Sequence, residues 1–227
     1  MLFRSAKITK PIVWTMHDMW TFTGTEHYGD VDSTRRWETG YNEVTRDSDD
    51  RGLDLERWTW NRKKRTWRHP AHLVAVSSWL ASAAQSSELV QSWPISVIPN
   101  VMNVETFRPQ SSSQARQDLC LPDGPIITFI SSAGISDRRK GWHLLNQAMR
   151  IVVELYPDAQ VVVVGQSHPS DEAGGTPGVV WFGHVANNSR MAQLLSASDV
   201  VAVPRDRKST RLNSSHLVNL VCRLLLE

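Results

Sequence analysis

The sequence predicts an α/β protein built on parallel sheets, and three observations carry that prediction. The second half alternates strand, helix, strand, strand, helix, strand with short connections, the arrangement in which helices cover a parallel sheet. Gln160–Val164 is a β-branched run closed by Gly165, as expected of a buried strand. Gly141–Tyr156 carries Leu144, Leu145, Ala148, Ile151, Val152 and Leu155 at helical spacing, which predicts a helix with one apolar stripe.

In chain order, Pro11–Thr15 reads as a short buried strand that gives out at His17-Asp18. Residues 24–52 are polar and without a sustained period, and read as a long, partly ordered loop. Leu53–His69 predicts a helix. Its acids Asp54 and Glu56 lie near the start and Arg62-Lys63-Lys64-Arg65 near the end, as the helix dipole favours. Leu53, Trp60 and Trp67 recur at heptad spacing on one face of it. His72–Val76 is a second strand, Ser77 and Ser78 cap a helix running to about Leu89, and Ile95–Ile98 is a third strand ended by Pro99-Asn100.

Pro109, Ser111–Ser113, Pro122 and Gly124 mark residues 106–124 as an interdomain linker. Beyond it, Pro125–Ser132, Gln160–Val164, Val179–Phe182 and Val200–Val203 are strands, and Met191, Leu194 and Leu195 mark a helix. Domains are therefore expected at residues 1–105 and 125–204.

A chain of 227 residues accommodates two modest domains, and 41% hydrophobic against 21% charged residues is enough for packed cores. No apolar run approaches the roughly 18 residues that span a bilayer, so an integral membrane protein is not expected. A formal net charge of +2 does not advertise nucleic-acid binding. Cys120 and Cys222 lie far apart without a pairing or zinc pattern. The opening MLFRSAKITK lacks the apolar stretch of a secretory signal, which makes the cytoplasm the expected compartment. Ten tryptophans, most in the first hundred residues, stand out.

Asp137-Arg138-Arg139-Lys140-Gly141 lies between the first strand of the second half and its helix. Ligands of open α/β sheets bind at the carboxyl ends of the strands, where a cationic loop feeding a helix N-terminus grips phosphate. The same residues also read as a solvated charged turn. His17-Asp18 follows the first strand, where a histidine can donate a hydrogen bond or transfer a proton, although a lone histidine is more often structural. Gly183-His184 occupies the corresponding position after Trp181-Phe182, with a surface-loop histidine as the plainer reading.

Arg62–Arg65 among Trp58, Trp60 and Trp67 invites a nucleic-acid or membrane-surface reading, but the tryptophan spacing fits a buried face. His69 and His72 do not make a metal site, because Pro70 breaks the helix between them and no carboxylate is suitably spaced. No Gly-x-Ser-x-Gly elbow, Walker loop or paired-carboxylate motif is present.

Taken together, KPIVWTMHDMWTFTG at 10–24, LVAVSSWLASAA at 73–84, VIPNVMNVETFRP at 97–109, ISDRRKGWHLL at 135–145, VVVVG at 161–165 and WFGHVANNSRMAQLLSASDVVAVP at 181–204 resemble the retaining GT-B glycosyltransferases of family 4, polysaccharide-assembly branch. The resemblance implies two Rossmann-like domains, with the acceptor bound mainly by the first and a nucleoside-diphosphate sugar by the second. It implies transfer without a metal or other cofactor, with Lys140 and Arg138 or Arg139 stabilising the departing diphosphate. By the same carry-over His17 lies near the transferred sugar, while Gly134, Arg138, Gly165, Gly183 and His184 belong to the donor site. The implied partners are a nucleotide-sugar donor and a glycan or lipid-linked acceptor, with no nucleic acid. Peripheral contact at the inner face of the plasma membrane stays open.

Two departures stand out. Gly134-Ile135 replaces the Gly-Arg that many relatives place before Lys-Gly, and Thr25-Glu26 stands where the branch often has cysteines. The resemblance also leads us to expect a fragment short at both ends. RDRKSTRLNSSHLVNLVCRLLLE, residues 205–227, breaks the family pattern after Pro204 and reads as a non-native tail, a C-terminal helix over Leu217–Leu226 being the alternative. Such a fragment is expected to be inactive, or a nucleotide-sugar or glycan-binding remnant. Resequencing the source DNA across the Pro204 codon should show the frame continuing into a Ser-rich loop and a glutamate-bearing motif; a stop as written would make the tail genuine.

Overall fold

The computed structural model describes residues 10–28, 35–46, 51–131, 135, 140–165 and 178–204. The chain divides into two compact units between Asn100 and Val101. Each is a parallel sheet with helices, so the α/β class read from the sequence holds in both.

In the first unit, β1 (Val13–Met16), β2 (His72–Ala75) and β3 (Ile95–Val97) lie side by side in that order, all parallel. Helices α1 (Arg36–Thr39), α2 (Leu55–Thr66) and α3 (Ser78–Gln85) connect them. The cap residues do what their side chains allow. Asp54 accepts the Arg57 N–H at 2.8 Å to start α2, and Ser77 accepts the Leu80 N–H at 3.2 Å to start α3. Met16, Phe22, Trp60, Leu73 and Leu80 form the centre of the core.

Two expectations are corrected here. Leu53 lies before α2 and is exposed, so the buried face of that helix is Thr59, Trp60 and Lys63. The stretch 24–52 is not simply loop. It contains α1, whose Arg36 and Trp37 are buried, and Arg36 bonds Asp54 and Glu56 at 2.6 Å each. Those two ion pairs tie the polar segment to the start of α2, where periodicity leaves no trace of the attachment.

The second unit holds α4 (Ser112–Asp118), β4 (Ile126–Ile130), α5 (Trp142–Leu155), β5 (Gln160–Val164), β6 (Val179–Gly183), α6 (Asn188–Ala197) and β7 (Val200–Ala202). Its parallel sheet runs β6-β5-β4-β7, with Val161–Val164 of β5 in the core. The interval read as linker, 106–124, contains α4 docked on this unit. Ala115, Leu119 and Leu121 pack with Leu194 and Ala197. Arg116 bonds the Ala197 carbonyl at 2.9 Å and pairs with Asp199 at 2.7 Å. Serine-rich composition conceals a helix whose attachment consists of one arginine and three apolar side chains.

Helix α5 turns inward a face offset from the stripe read in the sequence, sharing only Leu145 and Val152 with it. Trp142, Leu145 and Met149 are buried, whereas Leu144, Ile151 and Leu155 are 41%, 63% and 72% exposed. The helix is apolar on two sides, so spacing alone cannot choose between them. Trp142 chooses, because its ring meets Phe129 of β4 at 5.5 Å and Trp181 of β6 at 5.8 Å. Leu145→Ala should therefore cost about 2–5 kcal/mol in urea unfolding, while Leu144→Ala stays within about 0.5 kcal/mol; the reverse order would place the other face on the sheet.

Candidate functional site

In the second unit three of the residues singled out from the sequence, Gly165, Gly183 and His184, stand at or just past the carboxyl ends of strands. Ser131, just past β4, donates its N–H to Val164 of β5 at 2.9 Å, and Gly165 donates to the carbonyl of Gly183 at 2.8 Å. These bonds align the ends of three adjacent strands. Gly165 at φ +108° and Gly183 at φ +74° both occupy the left-handed region, where a side chain is strained and glycine is not. The chain can thus turn off each of these strands without strain.

Lys140 and Gly141 lead into α5, and the Gly141 carbonyl accepts the Leu144 and Leu145 N–H groups at 3.0 and 3.1 Å. The half-buried Lys140 is held two residues ahead of the Trp142 wedge. A cation at a helix N-terminus opposes the helix dipole, and an anion seated between them reconciles the two. His184 is exposed just beyond β6. Gly134, Arg138 and Arg139 fall outside the described residues.

In the first unit, β1 ends at Met16 and the chain turns through His17-Asp18 into a single 3-10 turn, Trp20–Phe22. His17 is exposed. Asp18 is engaged on both oxygens: Oδ1 accepts the Trp20 N–H at 3.0 Å, and Oδ2 lies 2.6 Å from His27 Nδ1.

The element that shapes this loop is Lys63 of α2, which sequence reasoning placed in a solvated basic run. Its side chain is 0% exposed, and its ammonium donates to the carbonyls of Trp20, Thr23 and Gly24, the last two at 2.9 Å. The Trp20 ring lies 3.7 Å from the Nζ and the Trp67 ring 5.5 Å from it. Trp14, Trp20, Trp67 and Trp93 are linked ring to ring at 5.4–6.3 Å, which accounts for part of the tryptophan surplus. Burial pulls Lys63 down to about 7, against the opposing pull of Glu26 and Asp18.

Tyr41 completes the loop's support. Its hydroxyl donates to Glu26 Oε1 at 2.6 Å and accepts the Gly24 N–H at 2.7 Å. Burial, reinforced by the Glu26 charge, pushes the phenol well above its ordinary value. Ser87 donates to the Phe22 carbonyl at 2.8 Å. None of these supports was picked out from the sequence. The available signal was that Lys63 shares one helical face with Trp60 and Trp67. Among the described residues, no three His, Cys, Asp or Glu side chains are grouped to hold a metal ion.

With this geometry in place, the comparisons can be read. Residues 124–216 match the family described as glycosyl transferases group 1. Sucrose-phosphate synthase from Thermosynechococcus elongatus is similar in structure, with a TM-score of 0.53 and 22% identity. The match covers 85% of this chain and 44% of that one, so the chain spans less than half the length of the synthase. No curated protein matches the chain. The fold is that of the Rossmann-like units of GT-B glycosyltransferases.

Replacing Lys63 by Met should leave the three carbonyls unpaired, at about 1–3 kcal/mol for each one that water does not reach. The pH dependence is also determined. The folded chain releases the Lys63 proton near 7, whereas the unfolded chain holds it to the ordinary lysine value of 10.5. Between those limits the unfolded state binds more protons, so this group makes stability rise with pH. Thermal unfolding from pH 7 to 10 should show that rise in the parent chain and lose it in Lys63→Met; an unchanged profile would mean that the three carbonyls outweigh burial and keep the proton on Lys63.

Proposed function

We propose that the chain is a large part of a retaining glycosyltransferase. It moves a hexose-type sugar from a nucleoside diphosphate to a glycan or lipid-linked acceptor, in exopolysaccharide- or lipopolysaccharide-type assembly. The observation that carries the reading is the carboxyl edge of the second unit. There Gly165, Gly183 and the Lys140-led N-terminus of α5 lie within the stretch that matches group 1 glycosyl transferases. The nucleotide of the donor lies along that edge, beside His184, and its diphosphate faces the start of α5.

In the transfer, the bond between the sugar's anomeric carbon and the diphosphate oxygen breaks while a bond to an acceptor hydroxyl oxygen forms, and the hydroxyl's proton passes to the departing diphosphate. Negative charge grows on the departing phosphate. Lys140, with Arg138 or Arg139, meets that charge as it develops, and cations already in place lower the barrier most. The reading calls for no metal ion. His17, exposed just past β1, is the first-unit residue that the family resemblance assigns to the transferred sugar. The work belongs on the cytoplasmic side, at the inner face of the plasma membrane when the acceptor is lipid-linked.

Two measurements test this. In the full-length gene product, Lys140→Ala should lower turnover of a labelled nucleotide-sugar by about 10²–10³-fold, the usual loss for one preorganised charge-stabilising group; undiminished turnover would remove Lys140 from the site. The 227-residue chain is expected to bind a nucleoside diphosphate, with uridine diphosphate as the representative probe, and to show little or no transfer. Robust turnover by the chain alone would overturn the expectation that it is an inactive portion, and binding without turnover in the full-length product would favour a nucleotide-sugar-binding remnant.

A further inference from the structure

We infer that His27, oriented by Asp18, is a sugar-binding residue of the first unit, taking a hydrogen bond from an acceptor hydroxyl. The inference rests on the transferase reading above and assigns an acceptor contact within it.

Asp18 first determines how the imidazole must be protonated. An ionised carboxylate only accepts hydrogen bonds. With Oδ1 taken by the Trp20 N–H and Oδ2 lying 2.6 Å from His27 Nδ1, the proton between the side chains belongs to Nδ1. In the neutral ring, Nε2 therefore keeps its lone pair and is an acceptor. A histidine with a free choice of tautomer offers no such fixed polarity.

The pair is also held in place. The Met19 N–H donates to the His27 carbonyl at 3.1 Å, which fastens the backbone at His27 to the turn that follows Asp18. The Thr23 hydroxyl lies 3.0 and 2.7 Å from the carbonyl oxygens of Met19 and Glu26 and shares its one proton between them, and Tyr41 holds the Glu26 carboxylate. Lys63 grips the other side of the same loop through three carbonyls. An exposed side chain on so firmly bonded a backbone is preorganised for a ligand.

The surroundings suit a sugar. The His27 side chain is 57% exposed, and the exposed Tyr28 ring lies 6.4 Å away, centroid to centroid. An aromatic body beside one directed polar atom matches a ring that has an apolar face and hydroxyl edges. All of this lies at the carboxyl end of β1, the side of a parallel sheet on which ligands bind. Asp18 acts through His27 and is a positioning residue.

The test uses the full 227-residue chain with ¹⁵N-labelled histidine. The His27 signals should report the Nδ1–H tautomer, and Asp18→Asn should shift the ring toward Nε2–H while the fold, judged by amide spectra, is retained. Titrating methyl hexosides of gluco, galacto and manno configuration should move the His27 resonances with at least one sugar. His27→Ala should weaken that sugar's binding at least tenfold. An Nε2–H tautomer in the parent chain, or His27 signals indifferent to every glycoside, would overturn the inference. Uridine diphosphate in a parallel titration separates the two readings: binding that moves the Gly165 and Gly183 amides while His27 stays silent upholds the donor site and removes this one. Glycoside binding at His27 without nucleotide binding does the opposite.

Discussion

The first unit depends on one buried ammonium. Removing the Lys63 charge from water is costly unless its three N–H groups are met, and the carbonyls of Trp20, Thr23 and Gly24 meet all three. The same contacts determine the loop. Three carbonyls can converge on one nitrogen only if the chain doubles back after β1, so the turn that displays His17 and Asp18 takes its shape from a side chain some forty residues away in α2. Tryptophan rings surround the lysine and exclude the water that would otherwise compete for those carbonyls.

The second unit uses an apolar anchor for the corresponding task. Val161–Val164 fill the centre of the sheet, and Trp142 rests on Phe129 and Trp181 to set the rotation of α5. The start of that helix, with Lys140 and Gly141 just ahead of Trp142, takes its direction from the same contact. In the first unit a buried side chain on a helix holds a polar loop at the carboxyl end of a parallel strand. A binding surface made of loops acquires a defined geometry only when each loop is fastened from below.

Legibility followed the range of the interaction. The seven strands, α2, α3, α5 and α6 were readable because alternation, apolar runs and caps are local signals. Helix α4 was not, since its case rests on Arg116 reaching Ala197 and Asp199 across some eighty residues. Helix α1 was hidden because its buried arginine is paid for by Asp54 and Glu56, which a polar segment of sequence does not announce. The stripe on α5 was misread because a helix with two apolar faces carries two valid patterns, and only the sheet selects one. On the candidate site, the positions of His17, Gly165, Gly183 and His184 at strand ends, and of Lys140 ahead of α5, could be read directly from the sequence. The supports Lys63, Tyr41 and Ser87, and the His27–Asp18 pair, could not.

By itself, then, the sequence determined what spacing and composition encode: parallel α/β layers, the places where strands end, and the residue types that stand at those ends. Tertiary structure alone decided which charges are solvated and which are buried, which helix face meets a sheet, and which histidine acquires a fixed tautomer. The physical reason is that burial and hydrogen-bond satisfaction are properties of groups brought together across tens of residues. Lys63 and Lys64 are neighbours with the same chemistry, yet one is sealed beneath a loop and the other pairs at the surface with Glu88. What separates them is the face of α2 each occupies, and only Lys63 shares its face with Trp60 and Trp67.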